Sequence, residues 1–273
     1  MTGTVYLVGA GPGAPDLLTL RAARLLERAQ IVLHDALVHP DTLALARQAI
    51  WVDVGKRSGG RATVQAFINK RLVDAARKHT VVVRLKGGDP MLFGRANEEI
   101  AALIAADIAY EIVPGISAAF GAAAEYGLPL TERGVGRSLT FVTPRTAPGS
   151  DDSSWIDAVR AADSAVLYMA RDAGATVAAR LIERGTAATE PVAVVASATW
   201  DASEARFGIL TDLAMLTEGL DGPALVIVGT AARKSAHCAD TTAWRRVIDS
   251  RHSMLDSTRT PTDVSTYRRS NTG

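Results

Sequence analysis

A chain of 273 residues, 48% of them hydrophobic, can bury a sizeable core; this excludes global disorder and leaves room for one large domain or two ordinary ones. A net charge of +1 gives no overall field for nucleic acid or an anionic membrane, and one cysteine, Cys238, excludes an internal disulfide framework or a multi-cysteine metal site. No apolar run reaches the roughly 18 residues of a membrane span, and the first residues lack the basic, apolar and small series of a secretory signal, so a cytoplasmic protein is expected.

The run "TVYLVG" at 4–9 is rich in β-branched residues and is expected to be a strand. It leads into "VGAGPGAPDLLT", where Gly9, Gly11 and Ala14 fit the glycine pattern of a dinucleotide-binding turn, with Asp35 standing where a ribose-binding acid belongs. Against that reading, Pro12 and Pro15 stiffen the turn. Asp16 would repel a pyrophosphate at the start of the next helix and is expected to be its N-cap instead. Residues 17–28 carry a helical apolar face. "IVLH", "WVDV", "VVVRLKG" and "YEIV" are expected strands, and 62–78 and 95–106 expected helices between them. That alternation implies βαβ crossovers and a mainly parallel sheet.

Pro114-Gly115 breaks the rhythm, and a domain boundary is expected there, giving an N-terminal α/β domain over 1–114 and a C-terminal one over 115–239. The second domain opens with the helix-like "ISAAFGAAAEYG", followed by "SLTFVT", "AVLYM", "VAVVAS", "ARFGIL" and "ALVIVG" as strands. The gap between 197 and 205 is too short for a helical crossover, so an antiparallel hairpin in a mixed sheet is expected. Residues 144–154 have loop composition, and 240–273 form a polar tail of little periodicity, expected to be disordered beyond a short helix near Trp244. The five histidines show no ligand spacing, so no metal site is expected.

"VYLVGAGPGAPDLLTLRAARLL", "GKRSGG", "VVRLKGGDPMLFGRANEEI", "VPGISAA", "LPLTERG" and "VLYMA" occur in that order. Together they resemble the S-adenosylmethionine-dependent tetrapyrrole methylases, and among them the uroporphyrinogen-III C-methyltransferases, over about residues 4 to 230. The resemblance implies a two-domain fold with the active site in the cleft, a homodimer, and no metal. It implies methyl transfer from S-adenosylmethionine to C2 and C7 of uroporphyrinogen III, giving precorrin-2 for sirohaem, cobalamin or haem d1. The alternatives are another precorrin methyltransferase or, from the glycine turn alone, a nucleotide-dependent oxidoreductase.

The resemblance also assigns residues. Gly87, Gly88 and Asp89, at the carboxyl edge of a strand where open α/β sheets bind ligands, are expected to meet the cofactor, with Leu92 and Phe93 lining the same pocket. Pro12, Ser117, Ala118, Met169, Ala198 and Ala224 are further expected contacts. Arg95 and Arg133 match positions that bind or activate the tetrapyrrole, and Glu98 is expected to pair with an arginine. Asp35 is the candidate proton acceptor and Lys56 the candidate donor. Lys56, Arg57, Arg61 and Arg137 add cations suited to a substrate bearing carboxylates.

Overall fold

The computed structural model describes residues 2–55, 61–145 and 153–233. The expected tail, including Trp244, therefore lies outside the described residues.

Two five-stranded sheets form the frame. The first contains β1 (Thr4–Gly9), β2 (Ile31–His34), β3 (Ile50–Asp53), β4 (Val81–Lys86) and β5 (Tyr110–Val113), all parallel, in the order β3-β2-β4-β1-β5. Strand alternation sorts its side chains. Val5 and Leu7 of β1 join Leu33 and Val82 on one face, while Val8 joins Val32, Val83 and Leu85 on the other. Helices α1 (Leu20–Arg28) and α2 (Pro40–Ala44) cover the Val8 face. Helices α3 (Arg61–Ala76) and α4 (Ala96–Ala105) cover the Val5 face, where Leu72 and Leu103 have no exposure. Burying a leucine of this kind contributes about 1.5–3 kcal/mol.

The strand order creates the site. From β1 the chain moves past β4 to reach β2, whereas from β4 it moves past β1 to reach β5. The loops leaving these adjacent strands therefore diverge, which opens a crevice at their carboxyl ends.

Helix α5 (Ala118–Glu125) follows, and then the second sheet: β6 (Leu139–Val142), β7 (Ser164–Tyr168), β8 (Pro191–Ala196), β9 (Glu204–Ile209) and β10 (Ala224–Gly229). Its order is β6-β7-β10-β8-β9, with β6 and β7 parallel and the remaining pairs antiparallel. β8 and β9 make the expected hairpin. α5 packs on one face through Ala119 and Ala122. Helices α6 (Ser153–Ala161), α7 (Gly174–Glu183) and α8 (Leu213–Thr217) pack on the other through Trp155, Val177, Leu181 and Leu213.

Two expectations need correction. Asp16 is not a helix N-cap: Pro15–Leu17 is a short 3-10 turn, and α1 starts at Leu20 with Thr19 as its cap, accepting from the Ala22 amide at 3.2 Å. The backbone at Leu18 is extended, with φ −67° and ψ 146°, and this separates the Pro15 turn from α1. The loop expected over 144–154 ends earlier, because α6 begins at Ser153.

Candidate active site

The turns after β1 and β4 bind each other. Gly88 N donates to Gly11 O at 2.7 Å and Gly11 N to Gly88 O at 3.2 Å, both residues having positive φ, 68° and 76°. The segment after β5 packs against this bridge so closely that a Cβ on Gly115 would lie 2.3 Å from Gly88 O and 2.8 Å from Gly9 Cα. Asp89 fastens the same corner, accepting from Gly115 N at 2.9 Å and Met91 N at 2.8 Å. Asp35 does similar work from β2, accepting from Leu37 N at 3.0 Å and Gly87 N at 3.3 Å. Three loops distant in sequence are thus held by backbone amides donating to two carboxylates.

The second sheet supplies the opposite wall. Tyr168, at the end of β7, hydrogen-bonds the Ser117 hydroxyl, and the Ala119 amide donates to Tyr168 Oη at 3.3 Å. Burial pushes the Tyr168 phenol up, the hydrogen bonds from Ser117 and Ala119 working the other way. Ser117 also caps α5. The loop after β8 reaches back to the first sheet: Ala14 N donates to Thr199 Oγ1 at 3.0 Å, and the Trp200 ring packs against His39, tilted by 52°, with centroids 4.7 Å apart. Glu125 holds that loop by accepting from Thr199 N at 2.7 Å and the Ser203 hydroxyl at 2.9 Å.

Between these walls lies a cavity of about 580 Å³. Pro12, Asp35, Gly87, Gly88, Asp89, Leu92, Phe93 and Arg95 line it from the first sheet. Ser117, Ala118, Met169, Ala198 and Ala224 line it from α5 and the second sheet. Phe93, Arg95 and Met169 have left-handed backbones with φ of 52°, 54° and 57°, and so do Ser197 and Thr199 beside them. Non-glycine residues seldom adopt this conformation, and they cluster where a site imposes it.

Of the sequence-derived residues, Glu98, Arg133 and Arg137 do not line the cavity, and three others cannot be assigned to it. Lys56 lies outside the described residues, as do Arg57 and the side chain of Arg61. Arg133 is on an exposed turn closed by Glu132 and Gly136 and does not line the cavity; Arg137 is also exposed. Glu98 is off the cavity wall but grips Arg95, whose Nε and Nη2 donate to its two carboxylate oxygens at 2.6 and 2.8 Å. That fork holds the Glu98 carboxyl below the usual carboxylate range.

Sequence reasoning missed a buried ionic cluster. Glu99, with 0% exposure, accepts from Arg84 Nε at 2.9 Å and Lys86 Nζ at 3.0 Å, both bases being 4% exposed. Arg84 Nη1 also donates to Leu85 O at 3.0 Å and Leu33 O at 3.4 Å. Burial and the neighbouring Arg84 guanidinium pull the Lys86 ammonium below the usual lysine range, with Glu99 opposing them. Arg84 and Lys86 both line the cavity. The signal was present in "VVVRLK": two cations at i and i+2 share one face of a strand that is otherwise apolar. Tyr168 and Trp200 on the far wall are likewise absent from the sequence-derived residues.

The arrangement does not suit a dinucleotide. The glycine turn runs into a 3-10 turn rather than directly into a helix N-terminus, the Ala14 amide is bound to Thr199, and Asp35 is engaged with backbone amides. Among the described residues no cluster of His, Cys, Asp or Glu could hold a metal ion, and no helix is long and apolar enough to cross a membrane.

A parallel sheet with its switch-point loops facing a mixed sheet across one cavity defines a two-sheet α/β enzyme scaffold. The chain belongs to the tetrapyrrole (corrin/porphyrin) methylases, whose family pattern matches residues 4–214. It is 46% identical over 247 residues to a sirohaem synthase of Chromobacterium violaceum, covering 89% of this chain and 52% of that protein. The chain thus spans about half the length of the curated relatives it matches. It is 42% identical to the crystal structure of uroporphyrin-III C-methyltransferase from Thermus thermophilus, with a TM-score of 0.73, covering 88% of this chain and 98% of that one. A Thermus thermophilus structure complexed with S-adenosyl homocysteine is 36% identical, with a TM-score of 0.72, over 84% of this chain and 98% of the other.

Proposed function

We propose that this protein methylates uroporphyrinogen III at C2 and C7, with S-adenosylmethionine as donor, giving precorrin-2. The observation that carries this reading is the shared cavity: the two glycine turns and the ends of β7 and β10 face one space, with Arg84, Lys86, Arg95, Arg145 and Arg171 on its wall. Those cations suit a substrate with many carboxylates. The likeness to a uroporphyrin-III C-methyltransferase and to a complex containing S-adenosyl homocysteine supports the same reading.

The residues present fit the donor. Gly87 and Gly88 leave backbone open to close approach, and Leu92, Phe93, Met169, Ala198 and Leu225 supply apolar wall for an adenosine. Ser117 and the α5 N-terminus face the cavity with a hydroxyl suited to a carboxylate. The bound donor supplies an electrophilic methyl group to a pyrrole carbon, its sulfur keeping the electron pair of the broken bond. The chain's own part is to hold the two reactants in line and to accept the proton the macrocycle then releases. Asp35, on the cavity wall, is our proposed acceptor, with Lys56 as proton donor; Arg133 is kept as a proposed tetrapyrrole contact. We also propose that the catalytic halves are 1–114 and 115–239, and that the enzyme is a cytoplasmic homodimer.

Calorimetry tests the donor assignment: S-adenosylhomocysteine is expected to bind saturably and NAD not to bind. Saturable NAD binding with no response to S-adenosylhomocysteine would reject the methylase reading. Arg95→Lys tests the acceptor side. Lysine keeps the charge but loses the planar fork that grips Glu98. Nearly normal S-adenosylhomocysteine binding is expected, with turnover lower by at least about tenfold, or roughly 1.4 kcal/mol of transition-state stabilisation. Unchanged turnover in folded Arg95→Ala would remove the residue from the site.

A further inference from the structure

We propose that Lys86 is a carboxylate-binding residue of the cavity, taking a side-chain carboxylate of the tetrapyrrole; this rests on the function proposed above. The buried cluster holds two cations, Arg84 and Lys86, around a single carboxylate, Glu99. An excess positive charge at this depth is costly unless something compensates it. Asp35 adds an attraction at Lys86 that offsets part of this charge, but its hydrogen bonds run to the Leu37 and Gly87 amides and not to the ammonium.

The two bases differ in what remains for a ligand. Arg84 is committed to the fold, donating to Glu99 and to the Leu33 and Leu85 carbonyls. Lys86 carries three N–H donors, and among the described residues Glu99 is its one hydrogen-bond partner. Two donors on a buried ammonium at a cavity wall call for acceptors that enter the cavity. Gly94 leaves room for the lysine stem: a Cβ there would lie 3.0 Å from Lys86 Cε. Strand alternation places Lys86 on the face that α3 and α4 cover, where Gln65 shares the wall, whereas a Cβ on Gly88 would lie 3.9 Å from Ser117 Cα and Ala118 N. The ammonium thus serves the side of the cavity away from the hydroxyl proposed for the donor's carboxylate.

The test uses uroporphyrin III, the stable oxidised octacarboxylate, as a fluorescent probe titrated into the full chain saturated with S-adenosylhomocysteine. Lys86→Met leaves the Arg84–Glu99 pair intact and removes the excess charge. It is expected to weaken uroporphyrin binding by about tenfold, the worth of a charge-assisted contact, with S-adenosylhomocysteine affinity within about twofold of the parent. Lys86→Arg is expected to retain most of the porphyrin affinity. Lys86→Gln, which can still donate to Glu99, supplies the same comparison if the methionine variant does not fold. Unchanged uroporphyrin affinity in either folded neutral variant overturns the proposal. So does an equal or larger loss of S-adenosylhomocysteine binding, which would assign Lys86 to the donor. Parent protein that binds S-adenosylhomocysteine but not uroporphyrin would defeat the functional reading itself, and the proposal with it.

Discussion

Glu99→Ala is expected to destabilise the fold by about 3–5 kcal/mol, the usual cost of leaving a buried charge without its partner. Glu99 has no exposure and bonds both Arg84 and Lys86. Its removal would strand two cations between β4 and α4. Urea unfolding of parent and variant measures the loss as a lower midpoint at similar slope. A triple variant, Arg84→Met, Lys86→Met and Glu99→Leu, removes the charges together and is expected to recover most of the stability while losing function. A loss under about 1 kcal/mol in Glu99→Ala would show that the cluster is better hydrated than its burial implies.

Gly115→Ala is expected to act on stability and ligand binding together. The added methyl would meet Gly88 O and Gly9 Cα at 2.3 and 2.8 Å, backbone atoms with no rotamer to change. Overpacking of this kind costs about 1–3 kcal/mol. Relief would displace the Gly87-Gly88 turn from the cavity, so S-adenosylhomocysteine affinity is expected to fall by more than about tenfold. Gly134→Ala is the control. Its φ is 79° but nothing lies within 4 Å, so it should cost only the left-handed backbone preference, about 1 kcal/mol, with binding unchanged. Equal binding by both variants would remove the three-glycine corner from the ligand site.

Much of the frame is legible in the sequence because β-branched runs and their alternation are local signals. β1, β2, β5 and β10 match their expected runs end to end, and the others lie within a residue or two. Short helices were less visible. α2 and α8 have five residues each, less than two turns of periodicity, and α7 opens on a glycine. The expected start of α1 differs from the observed one because Asp16 has cap chemistry, whereas the cap is Thr19, three residues on, after the extended Leu18.

The site divides along the same line. "KGGDP" and "GAGPG" are contiguous and announce themselves, and both reach the cavity. The Arg84–Glu99–Lys86 cluster joins a strand to a helix, and each charge in isolation resembles a surface residue. The paired cations of "VVVRLK" are visible, but their burial against Glu99 belongs to the layer α4 forms over β4, which no single segment encodes. The Tyr168–Ser117 contact is hidden for the same reason, since it joins residues 51 positions apart.

Methyl transfer to a tetrapyrrole can be followed in the product itself. The protein is incubated anaerobically with S-adenosylmethionine carrying a labelled methyl group and with enzymatically made uroporphyrinogen III, and the tetrapyrrole product is analysed by mass spectrometry. Successive addition of two labelled methyl groups, at C2 and C7, is expected, with S-adenosylhomocysteine formed in equal number. Folded protein that binds S-adenosylhomocysteine yet leaves uroporphyrinogen III unlabelled, while methylating a later precorrin, would contradict it.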